Sequence, residues 1–147
     1  MSPHMKSTTR LLIAASAITL GLAFSASAAP DYGAYHDALG QLRMARAYIE
    51  HPDSGVLHDQ EKSAMAEIDA AISELLSVAN DGRGPADHAP LDSHKRWIAR
   101  LNEAAKLLNK AHDNVQREND ESGARERAIQ HIGQASKFIQ QAIALEQ

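Results

Sequence analysis

The chain has 147 residues, with 15 basic and 19 acidic side chains and no cysteine. Without cysteine there can be no disulfide, thiolate metal site, Fe–S cluster or covalently attached haem. A net charge of −4 with no basic stripe argues against nucleic acid or an anionic membrane as a partner.

Met1–Arg10 is short and polar and carries Lys6 and Arg10, and Leu11–Phe24 is apolar. Ala26-Ser27-Ala28 then supplies small residues in an A-x-A pattern. This layout predicts a secretory signal peptide over residues 1–28, cleaved after Ala28, and a periplasmic or secreted bacterial protein. The apolar run falls short of the roughly 20 residues that span a bilayer, so no membrane anchor is expected after cleavage. Residues 29–147 would remain, 119 residues with a net charge of −6 once Lys6 and Arg10 are lost, enough for one domain. One Trp, three Tyr and two Phe leave the core mostly to Leu, Ile and Ala.

Four segments carry helical periodicity and none alternates like a strand. The first is predicted over about 34–50, with Tyr35, Ala38, Leu39, Leu42, Ala45 and Ile49 on one face. His51 and Pro52 end it. The second covers about 59–79, with Ala64, Met65, Ile68, Ala71, Ile72, Leu75 and Ala79 inward and Asp59 as N-cap or first-turn anion. Asn80-Asp81-Gly82 stops it, and Gly82 suits a left-handed cap. A Gly- and Pro-containing loop, Arg83 to Leu91, follows. The third helix is the most amphipathic. It is expected over about 93–118 with Asp92 or Ser93 as cap, and with Trp97, Ile98, Leu101, Ala104, Ala105, Leu108, Ala111 and Val115 inward. The fourth is expected over about 124–146, with Ala128, Ile129, Ile132, Ala135, Ile139 and Ile143 inward.

The stripes repeat. Ala64, Ile68, Ala71 and Leu75 match Ala128, Ile132, Ala135 and Ile139 at a constant offset of 64. Leu42, Ala45 and Ile49 match Leu101, Ala104 and Leu108 at an offset of 59. Two helical hairpins derived from one are the natural reading. Short hairpin turns and a nine-residue middle loop, 83–91, predict an all-α, antiparallel up-down-up-down four-helix bundle.

Histidine is the transition-metal ligand left to a cysteine-free exported protein. In an up-down-up-down bundle, His51, His58 and His112 fall at one end, and His36, His88 and His94 at the other. His131 lies near the middle, off the apolar stripe and close to Phe138. His58, Glu61, His112 and His51 would form one site for Cu(II), Ni(II) or Zn(II). His36 and His94 would contribute to a second, with Tyr35 and Trp97 nearby. The plainer role for the same residues is at helix ends, where a cationic imidazole meets the C-terminal dipole, as for His51 and His112.

Other chemistry is poorly represented. There is no Glu-x-x-His pair, no H-E-x-x-H, no G-x-S-x-G and no phosphate loop. Met44 faces away from its stripe, which disfavours a Met/His haem. Gly82-Arg83-Gly84 is either a small anion nest or a plain loop. Glu118, Asp120 and Glu121 read as a solvated turn. An enzyme is not expected.

Tyr35-His36-Asp37-Ala38-Leu39, Glu67-Ile68-Asp69-Ala70-Ala71-Ile72 and Asn80-Asp81-Gly82 resemble segments of a group of uncharacterised bacterial exported two-hairpin helical proteins. Lys110-Ala111-His112-Asp113-Asn114-Val115 and Arg127-Ala128-Ile129-Gln130-His131-Ile132 do so too. That resemblance covers nearly the whole exported chain and implies a periplasmic bundle with no particular activity. More distantly, the leader, the Ala-rich helices and the His-bearing faces are similar to the histidine-rich small periplasmic metal-binding protein of ammonia-oxidising bacteria. That family's histidines are far denser, so the likeness implies one or two divalent-metal sites here. Two functions follow as expectations: a non-enzymatic periplasmic bundle that binds a divalent metal, or a metal-free module that binds another protein of the cell envelope.

Overall fold

The computed structural model describes residues 32–50, 57–84, 87–91 and 95–145. The expected signal peptide, the turn at His51 and Pro52, the expected caps Asp92 and Ser93, and His94 lie outside them. Four helices form among the described residues: α1 Gly33–Glu50, α2 Asp59–Leu76, α3 Trp97–Arg117 and α4 Ala124–Ala144. None is long and apolar enough to cross a membrane.

Nearly every residue assigned to an apolar stripe is inward. Leu39, Leu42, Ala45, Ala64, Ile68, Leu75, Leu101, Ala104, Leu108, Ala128, Ala135 and Ile139 are fully buried in one core. The fully buried alanines let the helices pack closely, and Leu and Ile fill the space between them. Two boundaries differ from expectation. α2 ends at Leu76 instead of Ala79, where the Ser77 and Val78 N–H groups turn to carbonyls three residues back, Glu74 and Leu75, interrupting the regular four-residue ladder. α3 starts at Trp97 instead of 93, with Arg96 at its N-cap in an extended conformation.

Helix direction also differs. Ala34 N–H donates to Glu118 Oε1 and Tyr35 Oη to Asp120 Oδ2, so the start of α1 meets the end of α3. Further along, Asn114 Nδ2 donates to Gln41 Oε1, and Lys95 Nζ lies 5.9 Å from the Tyr48 ring centre at the other end. α1 and α3 are therefore antiparallel neighbours. Arg127–Glu74 and His131–Glu67 contacts make α2 and α4 another such pair. Arg46 donates to Asp69 between α1 and α2, and α3 packs on α4. Among the described residues the backbones of the remaining helix pairs, α1 with α4 and α2 with α3, stay apart, and α2 and α3 meet through side chains at their starts. These two pairs are the diagonals. Trp97 Nε1 donates to Glu61 Oε1, which puts the starts of α2 and α3 at one end. The helices thus run up, down, down, up, and the expected up-down-up-down order is corrected.

The physical reason is the connection. The expectation counted only 83–91 as loop, but the chain from α2 to α3 runs from Ser77 to Arg96. Twenty residues reach about 65 Å when extended, whereas helices of this length span about 27–32 Å. A return along the whole bundle is therefore possible. Arg43 of α1, 1% exposed, directs it. Its guanidinium holds Asp81 with two bonds, of 2.7 and 2.9 Å, and donates to the carbonyls of Arg83 and Gly84, each at 2.9 Å. Gly82, at φ +69°, supplies the left-handed residue this turn requires. Beyond the clasp, Asp87, His88 and Ala89 line a groove with Gly40 and Met44 of α1. The crossover therefore climbs α1 and reaches α3 as a neighbour of α1, not of α2.

The internal repeat has a geometric counterpart. Glu67 and His131 are equivalent at the offset of 64, and they touch each other, His131 Nδ1 to Glu67 Oε2 at 2.6 Å. A residue that meets its own equivalent lies on the axis relating the two copies. The Arg46–Asp69 contact sets Tyr48 at the level of Glu67. Counting on from the Gln41–Asn114 contact sets Tyr48 opposite Leu107, its equivalent at the offset of 59. Both layers of the bundle share one pseudo-two-fold axis.

Candidate functional site at the His58 end of the bundle

α2 opens with a carboxylate in its third position. Glu61 Oε2 accepts the His58 backbone N–H at 2.6 Å, satisfying one of the amides a helix start leaves open. Its other oxygen accepts the Trp97 indole N–H at 2.7 Å. Glu61 is fully buried, and each of these charge-assisted bonds is worth about 1.5–3 kcal/mol. They lock the start of α2 to the start of α3 across the diagonal. The His58 ring stands at 70° to the Trp97 ring, with centroids 6.4 Å apart. Between them and the end of α4 lies a cavity of about 130 Å³, lined by His58, Gln60, Trp97, Ala142 and Leu145. Ile98 and Leu145, 36% and 68% exposed, are the large exposed apolar side chains of the described residues, and both lie at this end. Ile98 was expected inward.

The histidines do not converge. His112 lies fifteen positions along α3 from Trp97, about 22 Å down the helix. With α3 reversed relative to expectation, it stands away from the His58 end. There its Nδ1 is 3.6 Å from Asp113, its own sequence neighbour. The expected His58–Glu61–His112 grouping is therefore not formed, and both Glu61 oxygens are already engaged by protein donors. His51 lies outside the described residues, as does His94. His36, half-buried, sits in the first turn of α1, at the end opposite Trp97, so Tyr35 and Trp97 do not share a site either. His88 is exposed in the crossover, with Nδ1 2.7 Å from the Ala89 carbonyl. Among the described residues no group of three His, Asp or Glu side chains could hold a metal ion.

The opposite end repeats the construction. Tyr35 Oη donates at 2.9 Å to Asp120 Oδ2, and Ser122 N–H donates to Asp120 Oδ1 at 2.8 Å. Asp120, expected in a solvated turn, is buried. Burial and the Asp120 carboxylate push the Tyr35 hydroxyl well above the usual phenol range. Burial opposes ionisation of Asp120, but bonds from Ser122 and Tyr35 outweigh it and hold its carboxyl below the usual range. At the clasp, the bonds from Arg43 hold Asp81 down to about 2. The N–H groups of Gly82, Arg83 and Gly84 donate to Asn80 Oδ1, Asp81 Oδ1 and Asp87 Oδ2, so the donors of the expected anion nest are taken by the chain's own side chains.

Arg43, the Glu61–Trp97 bond and the Glu67–His131 pair are residues the sequence reading missed. Only the last had a usable signal, the constant offset of 64. No family model, curated protein or solved structure is similar to this chain.

Proposed function

We propose that the protein is an exported, non-enzymatic binding module of the bacterial cell envelope that receives another envelope protein at its His58–Trp97 end. The observation that carries this is the grouping of Ile98 and Leu145 beside an open cavity at one end of the bundle. Apolar side chains left in water next to a recess are what a docking surface needs and what a purely structural bundle does without. The leader-like residues 1–28 support export, and the lack of a nucleophile–base set or metal motif supports a role without catalysis. The metal reading loses its main support once His58 and His112 are separated.

Export is tested by osmotic-shock fractionation of a producing bacterium and N-terminal sequencing of the released protein, which should begin at Ala29. Retention in the cytoplasm with Met1 intact would overturn it. Docking is tested with a photo-crosslinking residue placed in the native host at Leu145, with exposed Lys110 as the control position. An adduct of defined mass is expected at Leu145 only, and Ile98→Asp should remove it. Equal adducts from both positions, or none, would sink the docking reading.

A further inference from the structure

The recess between the starts of α2 and α3 and the end of α4 has the features of a ligand site. We propose that it binds a single neutral aromatic ring carrying one hydrogen-bonding substituent, the chemistry of a phenol or an indole. Volume sets the size: about 130 Å³ is close to the roughly 150 Å³ of an engineered cavity that holds benzene. The walls set the polarity. Trp97, Ala142 and Leu145 are apolar, and His58 and Gln60 bring an imidazole and an amide to the same recess.

The same lining disfavours charge. Its described residues include no carboxylate, lysine or arginine, so a cation would lose its hydration without gaining a counter-charge, and an anion would meet only the His58 imidazole. The nearest carboxylate, Glu61, is fully buried, with both oxygens accepting protein N–H groups. A metal ion would find one imidazole and an amide, fewer donors than a divalent site requires. The aromatic wall is also preorganised. Trp97 is held through its Nε1–H by Glu61, which is itself tied to the backbone of α2, so little ordering is left to the moment of binding.

The proposal rests on the reading of this end as the binding end, but it needs no partner protein. It is tested on the purified exported protein. Trp97 is the chain's one tryptophan, so its indole N–H gives a single reporter resonance inside the site. The probes are p-cresol and indole as free rings, acetyl-Gly-Tyr-Gly-amide as a ring on a peptide, and cyclohexylmethanol as a saturated control. p-Cresol and indole should shift the Trp97 resonance saturably, with Kd on the order of 0.1–5 mM for so few ligand atoms in a half-open site. Cyclohexylmethanol should bind at least five-fold more weakly. Saturation by the peptide as well would make a partner's side chain the source of the ring, and saturation by free rings alone would make it a small molecule. Ala142→Leu fills the recess and should weaken binding at least ten-fold. If that variant does not fold, Leu145→Trp, at an exposed position, fills it from the rim. A shift linear to about 20 mM would overturn the proposal. So would affinity untouched by filling, equal binding of the saturated control, or binding of the peptide without p-cresol. An adduct from Leu145 with no ring bound removes this inference alone, and ring binding with no adduct removes only the envelope partner.

Discussion

The two ends of the bundle are variants of one design. At each, an aromatic residue from the start of one hairpin donates to a buried carboxylate at or just before the start of the other hairpin's second helix: Tyr35 to Asp120, and Trp97 to Glu61. The pseudo-two-fold axis exchanges the two ends, but at offsets of 59 and 64 the paired residues are not sequence equivalents, so the two arrangements are alike in construction only. They differ in what surrounds them. At the Tyr35 end, Tyr32 stacks on Tyr35 with centroids 5.5 Å apart, Ala34 N–H bonds Glu118, and Arg125 reaches the Glu118 carbonyl. Gly123, at φ +82°, makes the turn that brings these groups together. At the Trp97 end, the partner is a half-exposed indole beside a recess and an exposed leucine. One copy of the design serves closure. The other keeps its carboxylate covered and leaves an apolar opening next to it.

The most severe way to break this comparison is to remove what assigns the ends. Arg43→Met leaves buried Asp81 with only the exposed Arg83 guanidinium, at 3.8 Å, and takes the donor from the Arg83 and Gly84 carbonyls. Loss of one partner of a buried ion pair costs about 3–5 kcal/mol, which urea unfolding should show. A cost under about 1 kcal/mol would mean that the crossover is held elsewhere. Next is the closed end. Tyr35→Phe strips Asp120 of a buried donor and should cost about 1–3 kcal/mol. Trp97→Phe, at the open end, takes from fully buried Glu61 one of its two donors and should also cost about 1–3 kcal/mol. A cost under about 0.5 kcal/mol for either variant in thermal or urea unfolding would mean that its carboxylate is satisfied elsewhere.

The stripes were legible because burial on a helix follows a fixed period, and Leu39, Leu42, Ile68, Leu101 and Ile132 obey it. The direction of α3 was not legible, because no local pattern records whether a connection turns back or returns along the bundle. That choice rests on Arg43, which sits beside Leu42 at the edge of the α1 stripe and, by type, belongs in solvent. Its burial becomes intelligible only when Asp81, 38 residues on, is placed beside it. Reversing α3 carried His112 away from His58, so a single topological step undid the expected metal grouping. Glu61, expected beside a metal, accepts the Trp97 indole N–H and the His58 backbone N–H.

Acid sharpens the role of the clasp. Asp81 titrates at about 2 in the folded protein, against an ordinary value of 3.8. A carboxylate with a lowered folded pKa contributes stability above its unfolded pKa and loses it as pH falls towards the folded one. The window is therefore roughly pH 4 down to 2, and the amount is about 2 kcal/mol. Asp120 shifts in the same direction and adds to the same loss. Melting temperature followed from about pH 5 to 2 should fall steeply in the native chain. In Arg43→Met the part of the Asp81 slope that Arg43 supplies should be lost, while the part from Arg83 and the Asp120 share persist, so the two variants Arg43→Met and Tyr35→Phe should flatten the curve by different parts.

The smallest effect expected is at His112. If the ends are distinct, as the helix directions require, His58 and His112 cannot act on one ion. Calorimetric titration of the purified protein with Cu(II), Ni(II) or Zn(II) should then show no site tighter than about 100 μM that needs both side chains, since a divalent site takes three or more protein donors. His112→Ala and His58→Ala should each leave whatever weak uptake exists unchanged within about two-fold, and their effects should add with no coupling beyond about 0.3–0.5 kcal/mol. Coupling well above that would place the two imidazoles within reach of one metal. It would require α3 to run opposite to the direction set by Trp97 on Glu61 and by Tyr35 on Asp120, so the experiment bears on the fold as directly as on the function.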